Sequence, residues 1–262
     1  MARETALITG ASSGLGIAFA EDLAKRGYNL ILSARGAAAM ETLASRLREQ
    51  YGVDVAVQPA DLSQPQGAAG LIAALDERGL SPSVVVNNAG IGLNDRFIDQ
   101  HPDRLTAMLH LNILAVTELT RCYGQRMDAV GGGHILLVAS LAAYMPAPLL
   151  AAYAASKAYV LSLGEALHVE LAPKVGVTVL SPGYMNTGFD AASGFQPTPM
   201  TQRSALSPEK VAGIGLDTLF KGKSSVVAGT ANTLAAAVAK VLPRDFIARQ
   251  AYKTTGAQND AS

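Results

Sequence analysis

Thr5-Ala6-Leu7-Ile8-Thr9-Gly10-Ala11-Ser12-Ser13-Gly14-Leu15-Gly16 is the stretch that decides the fold. Its first five residues are apolar or β-prone, as in a strand covered on both faces. From Gly10 onward the chain reads as a tight turn opening a helix. Glycines at 10, 14 and 16 let the backbone turn sharply and approach a ligand closely. The free N–H groups at the helix start, reinforced by the helix dipole, favour a phosphate, and Ser12 and Ser13 add hydroxyl donors. A glycine-rich turn alone discriminates weakly, but this one sits between strand and helix, where the motif requires it. No Gly-Lys-Ser/Thr follows, so the turn is not a Walker loop.

Outward from this unit the same rhythm recurs. Short apolar runs at Thr5–Thr9, Asn29–Ser33, Asp54–Pro59, Ser83–Asn87, His134–Ala139 and Val177–Ser181 read as strands, with a weaker seventh near Ser224–Ala228. Helical patterns lie near 15–26, 37–51, 65–77, 103–128, 152–171, 208–221, 231–240 and 243–251. Alternation of this kind predicts βαβ units on a parallel sheet. Residues 183–206 interrupt it with scattered Gly, Pro, Phe and Met, and a loop this long in a compact domain is usually functional. The expected organisation is one α/β domain over residues 1–252, with a polar tail over 253–262.

Composition narrows the classes. Of 262 residues, 49% are hydrophobic and 16% charged, which excludes a disordered chain. The formal net charge is zero, so nothing points to nucleic acid or anionic lipid as a partner. Cys122 is the single cysteine, so no internal disulfide or cysteine metal cluster can form, and a cytoplasmic setting fits. The four histidines are too scattered for a metal or hydrolase signature, and no metal site is expected. No uncharged apolar run reaches about 18–20 residues, so no membrane span is expected; the nearest candidate, Val226–Ala239, reads as a core or interface helix.

The end of the second strand bears on the ligand. An acid about 20 residues past the glycines would hold the ribose 2′-hydroxyl of NAD. Ser33-Ala34-Arg35-Gly36 stands there instead. A guanidinium pairs with a 2′-phosphate where an acid would repel it, so Arg35 favours NADP(H).

Further motifs complete a pattern. Asp61-Leu62 follows the third strand, Asn87-Asn88-Ala89-Gly90 the fourth, and Ser140 the fifth. Asn112 lies inside a long helix, Tyr153-x3-Lys157 comes thirteen residues after Ser140, and Pro182-Gly183-x3-Thr187 follows the sixth strand. Over nearly its whole length the chain resembles a short-chain dehydrogenase/reductase. The resemblance implies a single-domain Rossmann-type fold, a doubly wound seven-stranded parallel sheet with helices on both faces. It also implies a cofactor site of Gly10, Ser12, Ser13, Gly14, Leu15, Gly16 and Arg35, in which Asp61 bonds the adenine amino group beside Leu62. Asn88, Ala89 and Gly90 would line the adenine ribose. Pro182, Gly183, Met185 and Thr187 would hold the nicotinamide end, with Tyr153 and Lys157 at the nicotinamide ribose. A homodimer or homotetramer is expected on the same ground.

The chemistry such a site performs needs an acid/base and a donor that polarises a carbonyl. Tyr153 and Lys157 are four apart in a helical stretch and share a face. A neighbouring ammonium should lower the phenol from its usual pKa of about 10. By resemblance Ser140 would donate to the substrate oxygen and Asn112 would place a water in the proton relay. The expected activity is reversible NADP(H)-dependent reduction of a ketone to a secondary alcohol; a non-catalytic NADP(H)-binding sensor is the alternative. Ile91–Phe97, Leu141–Leu150 and the stretch after Gly183 would wall the substrate pocket. Their apolar members include Leu93, Phe97, Leu141, Tyr144, Met145, Leu149, Met185, Phe189 and Phe195, which points to an apolar, steroid-like, acyl or aromatic substrate. Arg96 and Arg203 are the candidate cations there.

Overall fold

Seven stretches form strands: Thr5–Thr9 (β1), Asn29–Ser33 (β2), Val55–Val57 (β3), Val84–Asn87 (β4), Gly133–Val138 (β5), Val175–Ser181 (β6) and Ser225–Val227 (β7). All pair in parallel, in the order β3-β2-β1-β4-β5-β6-β7. The computed structural model describes residues 3–189 and 193–259. Helices connect the strands: Gly14–Lys25 (α1), Ala37–Tyr51 (α2), Gly67–Glu77 (α3), Pro102–Leu109 (α4), Val116–Val130 (α5) and Ala151–Glu170 (α6). Beyond β6 come Pro199–Arg203 (α7), Pro208–Phe220 (α8), Thr230–Val241 (α9) and Arg244–Asn259 (α10).

Alternation along the strands splits the core in two. Ala6, Ile8, Leu30, Leu32, Val84, Val86 and Leu136 pack with α1, α2 and α8 on one face. Leu7, Ile31, Val85, Ile135, Leu137 and Val179 pack with α3, α5 and α6 on the other. Both faces are therefore dry, which is why the strands read as continuous apolar runs. Each buried leucine or valine contributes about 1.5–3 kcal/mol. The strand order reverses between β1 and β4, and the ends of these strands open a crevice at that switch point, where ligands bind in such sheets.

Four expectations need adjustment. β3 spans Val55–Val57 and is shorter than Asp54–Pro59, although Gln58 N and Ala60 N still donate to the carbonyls of Leu32 and Ala34 beyond its end. The helix expected over 103–128 is three pieces: α4, a π-helical segment His110–Ala115, and α5. The apolar run Val226–Ala239 is divided between β7 and α9 by a turn at Gly229 with φ 96°. The polar tail expected over 253–262 is helical as far as Asn259, and residues 260–262 lie outside the described residues. Among the described residues, no helix is long and apolar enough to cross a membrane.

Candidate active site

The glycine turn is built from backbone contacts that leave no room for side chains. Gly10 has φ 68°, and a Cβ there would lie 2.9 Å from Ala89 Cα. Gly14 has φ 49°, and a Cβ would lie 2.8 Å from Thr187 Cβ, so the segment after β6 reaches across to the start of α1. The Asn88 side chain donates to the Thr9 carbonyl at 2.9 Å, and the N–H groups of Asn88 and Ala89 both donate to Thr9 Oγ1 at 3.0 Å. Thr9 and Asn88 thus lock the ends of β1 and β4 together. Ala11 N donates to the Ser33 carbonyl at 3.2 Å, which ties the turn to the end of β2.

Ser13 is the N-cap of α1 but makes no side-chain cap bond, so the helix start keeps N–H groups for a ligand. Arg35 is exposed beyond β2 and forms no ion pair among the described residues. Asp61 Oδ1 accepts from Ser63 N at 3.0 Å and Ser63 Oγ at 2.6 Å. Those bonds, with Arg35 adding attraction, hold its carboxyl below the usual range despite some burial. A helix start, a free guanidinium and a fixed carboxylate at one edge of the sheet fit an anionic dinucleotide.

Three elements meet at the other half of the crevice. Ser140 caps the short 3-10 turn Leu141–Tyr144 after β5, its Oγ accepting from Ala142 N at 3.2 Å. Tyr153 and Lys157 lie on α6. The Lys157 ammonium donates to the Val138 carbonyl at 2.9 Å and sits 5.9 Å from the centre of the Tyr153 ring. Burial pushes this lysine down to about 8. Asn112 is fully buried in the π-helical segment. Its Nδ2 donates to Ile91 O at 2.9 Å and Ser156 Oγ at 3.1 Å, and its Oδ1 accepts from Ile91 N at 3.1 Å. Ser156 Oγ in turn donates to the Tyr153 carbonyl at 2.7 Å. A Cβ on Gly90 would lie 3.1 Å from Lys157 Nζ and 3.3 Å from Asn112 Oδ1, so a glycine here lets the two side chains converge.

The family model for short chain dehydrogenases matches residues 4–196. The chain belongs to that family. It is 32% identical over 253 residues to Probable oxidoreductase EphD of Mycobacterium tuberculosis, which covers 95% of this chain and 42% of that relative. It therefore spans less than half the length of the mycobacterial protein. It superposes on a 7beta-hydroxysteroid dehydrogenase with TM-score 0.86 and 28% identity, covering 95% and 96% of the two chains. A short-chain dehydrogenase of Sphingobium yanoikuyae in complex with NADPH gives TM-score 0.80 at 27% identity, over 92% and 97%. One of Burkholderia phymatum in complex with NAD gives 0.79 at 26%, over 90% and 92%. The chain is thus a member of the short-chain dehydrogenase/reductase family, whose solved relatives include one in complex with NADPH and one in complex with NAD.

The expected residues gather in the crevice, and one expectation is reversed. Lys157 stands near Tyr153, yet the phenol is raised above its usual value. Burial dominates, and the Ser140 hydrogen bond lowers it only in part. The same surroundings push the Lys157 ammonium down and the Tyr153 phenol up, since burial disfavours the charged form of each.

Of the cofactor-side residues after β6, Pro182 O accepts from Leu141 N at 2.7 Å, and Gly183 lies against Asn232 of α9, whose side-chain amide leaves no room for a Cβ. Met185 packs against the core face shared with α1. Leu62 is buried beside Asp61. On the substrate side, Leu93 and Leu149 are buried, while Phe97 is 57% exposed in a 3-10 turn. Arg96 is engaged by Asp99 at 3.5 Å. Two residues of this region were not singled out from the sequence. Ser156 joins Asn112 to the backbone of Tyr153. Lys240 of α9 places its ammonium 5.5 Å from the centre of the Tyr144 ring.

Proposed function

We propose that this dehydrogenase reversibly reduces a carbonyl group of an apolar substrate using NADP(H), with Tyr153 as the acid/base. The observation that carries the reading is the convergence of a buried Lys157, Ser140, Asn112 and Tyr153 beside Gly90 at the ends of β4 and β5. A bound nicotinamide supplies or takes up the hydride. Ser140 donates to the substrate oxygen, which polarises the carbonyl. Tyr153, held protonated at neutral pH by burial, gives its proton to that oxygen as negative charge develops on it. Lys157 has spent one N–H on Val138 O and keeps two more, which would hold the ribose hydroxyls of a bound cofactor. Asn112, clamped by Ile91 and Ser156, retains a lone pair on Oδ1 for a relay water.

Arg35 supports the choice of NADP(H), being a cation without an ion-pair partner among the described residues at the position where an acid would select NAD. The apolar wall and the likeness to a 7beta-hydroxysteroid dehydrogenase support a steroid-like or similarly apolar ketone. A panel of ketones assayed with NADPH tests the reading. Tyr153→Phe is expected to lower kcat by at least about a thousandfold while NADPH binding persists. Undiminished turnover in that variant would sink the mechanism.

A further inference from the structure

Tyr153 has a second neighbour besides its catalytic partners. The ring of Phe189 lies against it, centroids 5.5 Å apart and planes inclined by 49°. The tip of Phe189 enters a notch that exists because residue 92 is glycine. A Cβ there would stand 2.6 Å from Phe189 Cζ, 3.3 Å from Cε1 and 3.3 Å from Ser193 Cβ. The notch has firm sides. Asn94 N donates to Ser193 O at 2.9 Å and Asn94 Nδ2 to Gly194 O at 3.1 Å. Asp95 N donates to the carbonyl of Leu149 at 3.0 Å, and Leu149 is the one non-glycine residue with positive φ, 66°, among those described. Strain of that kind persists where the surroundings hold it in place. Phe189 is thus pressed between the segment after β4 and the phenol that would meet the substrate.

We propose that Phe189, seated in the notch left by Gly92, limits the bulk of the group a carbonyl substrate can place against Tyr153, so that this pair sets substrate size. The proposal rests on the reading of Tyr153 as the acid/base. A substrate oxygen that receives the Tyr153 proton must lie within hydrogen-bond distance of it, about 2.6–3.2 Å. One substituent of its carbonyl carbon then falls beside the phenol ring, where the phenyl group of Phe189 already takes up space. A methyl substituent fits next to it, whereas a second aryl group competes with it.

The test compares acetophenone with benzophenone in the full-length protein with NADPH. Phe189→Ala is expected to raise the benzophenone-to-acetophenone ratio of kcat/KM by about tenfold or more, as size discrimination in apolar pockets allows. Phe189→Leu should fall between the two. Gly92→Ala should lower the melting temperature on its own but cost little in the Phe189→Ala background, where the added methyl finds space. A ratio that stays constant in active variants, or additive losses in that cycle, overturns the proposal. Titration of the Tyr153 phenolate by ultraviolet absorbance, assigned by its loss in Tyr153→Phe, reads the cover without turnover. Its midpoint should drop in Phe189→Ala, since water then reaches the phenol. Wild-type protein that reduces neither ketone overturns the carbonyl-reductase reading. The phenolate titration then still decides whether Phe189 covers Tyr153: a lower midpoint supports the cover and an unchanged one overturns it.

Discussion

On one side of the crevice Thr9, Gly10, Asn88 and Ala89 hold one another through short backbone and side-chain bonds, with every partner fixed by the pairing of β1 and β4. On the other side the walls come from three separate loops, joined by isolated bonds such as Asp95 N to Leu149 O and by rings packed on rings. The first side is set by the register of two neighbouring parallel strands, which brings Thr9 and Asn88 together across 79 positions of the chain. The second depends on residues up to about a hundred positions apart, Gly92 and Phe189 among them. A shared ligand fits the repeated architecture of the first side, while the substrate is left to the side that varies most freely.

Lys157 lies between the two sides, and after Tyr153→Phe its replacement should show the largest effect. Lys157→Met is expected to cut kcat by about a hundredfold or more. The same change should raise thermal stability at pH 7. The lysine sits at about 8 when folded against 10.5 as its ordinary value, so the unfolded chain binds more protons between those limits. Its cost to the fold is therefore complete below pH 8 and fades as pH rises toward 10.5. Removing it should gain about 1–3 kcal/mol, less the bond to Val138. Thermal melts at pH 7 and pH 10 check this: a variant less stable at pH 7 would mean that the ammonium is a structural asset, and the first side more than a functional scaffold.

Arg35 tests the rim of the dinucleotide side. Arg35→Asp should lower the NADPH-to-NADH ratio of kcat/KM by about ten- to a hundredfold, since one charge-assisted pair is lost and a repulsion replaces it. Because the side chain is exposed and free of ion pairs among the described residues, the melting temperature should hardly move. An unchanged ratio would remove the rim from cofactor choice.

His134 gives the smallest expected effect and serves as the control outside the crevice. It is the second residue of β5, at the end of the strands away from the crevice, edge-on to Phe220 at 5.3 Å, with Nδ1 buried and without a hydrogen-bond partner among the described residues. Burial lowers its pKa, against a smaller opposing pull from Glu4. The unfolded chain therefore takes up the proton first as pH falls through about 6.5, and stability should decline there. His134→Phe should shrink the difference in melting temperature between pH 7.5 and pH 5 and leave kcat unchanged. A change in kcat would show that the two ends of the strands are coupled.

The legible residues share a property. Thr9 to Gly16 and Tyr153-x3-Lys157 each lie within one turn or one helix face, so spacing along the chain reports spacing in space, and Asn87 to Gly90 is legible as a short run although its partner Thr9 is distant in the chain. Their order then yields the strand count and the position of Ser140. Asn112 was legible as a residue but not as a conformation. Its π-helical segment accommodates one extra residue per turn and leaves no compositional trace. Ser156 was hidden by its ordinary place in a helix, since only its bonds to Asn112 and Tyr153 distinguish it. The sign of the Tyr153 shift was misread for a similar reason: charge spacing is visible in sequence, whereas the degree of burial that outweighs it is not.

What the amino-acid sequence determined by itself is the family, the doubly wound sheet and the identity of the side chains that gather at the ends of β4 and β5, because periodicity and short motifs are local. What only the tertiary structure decided is how those side chains are poised. Packing from both faces dries Lys157 and Tyr153, a π-segment turns Asn112 onto Ile91, and a missing Cβ at Gly92 admits Phe189. Desolvation and close contact are sums over neighbours distant in the chain, and they exist only once the sheet has brought its strand ends together.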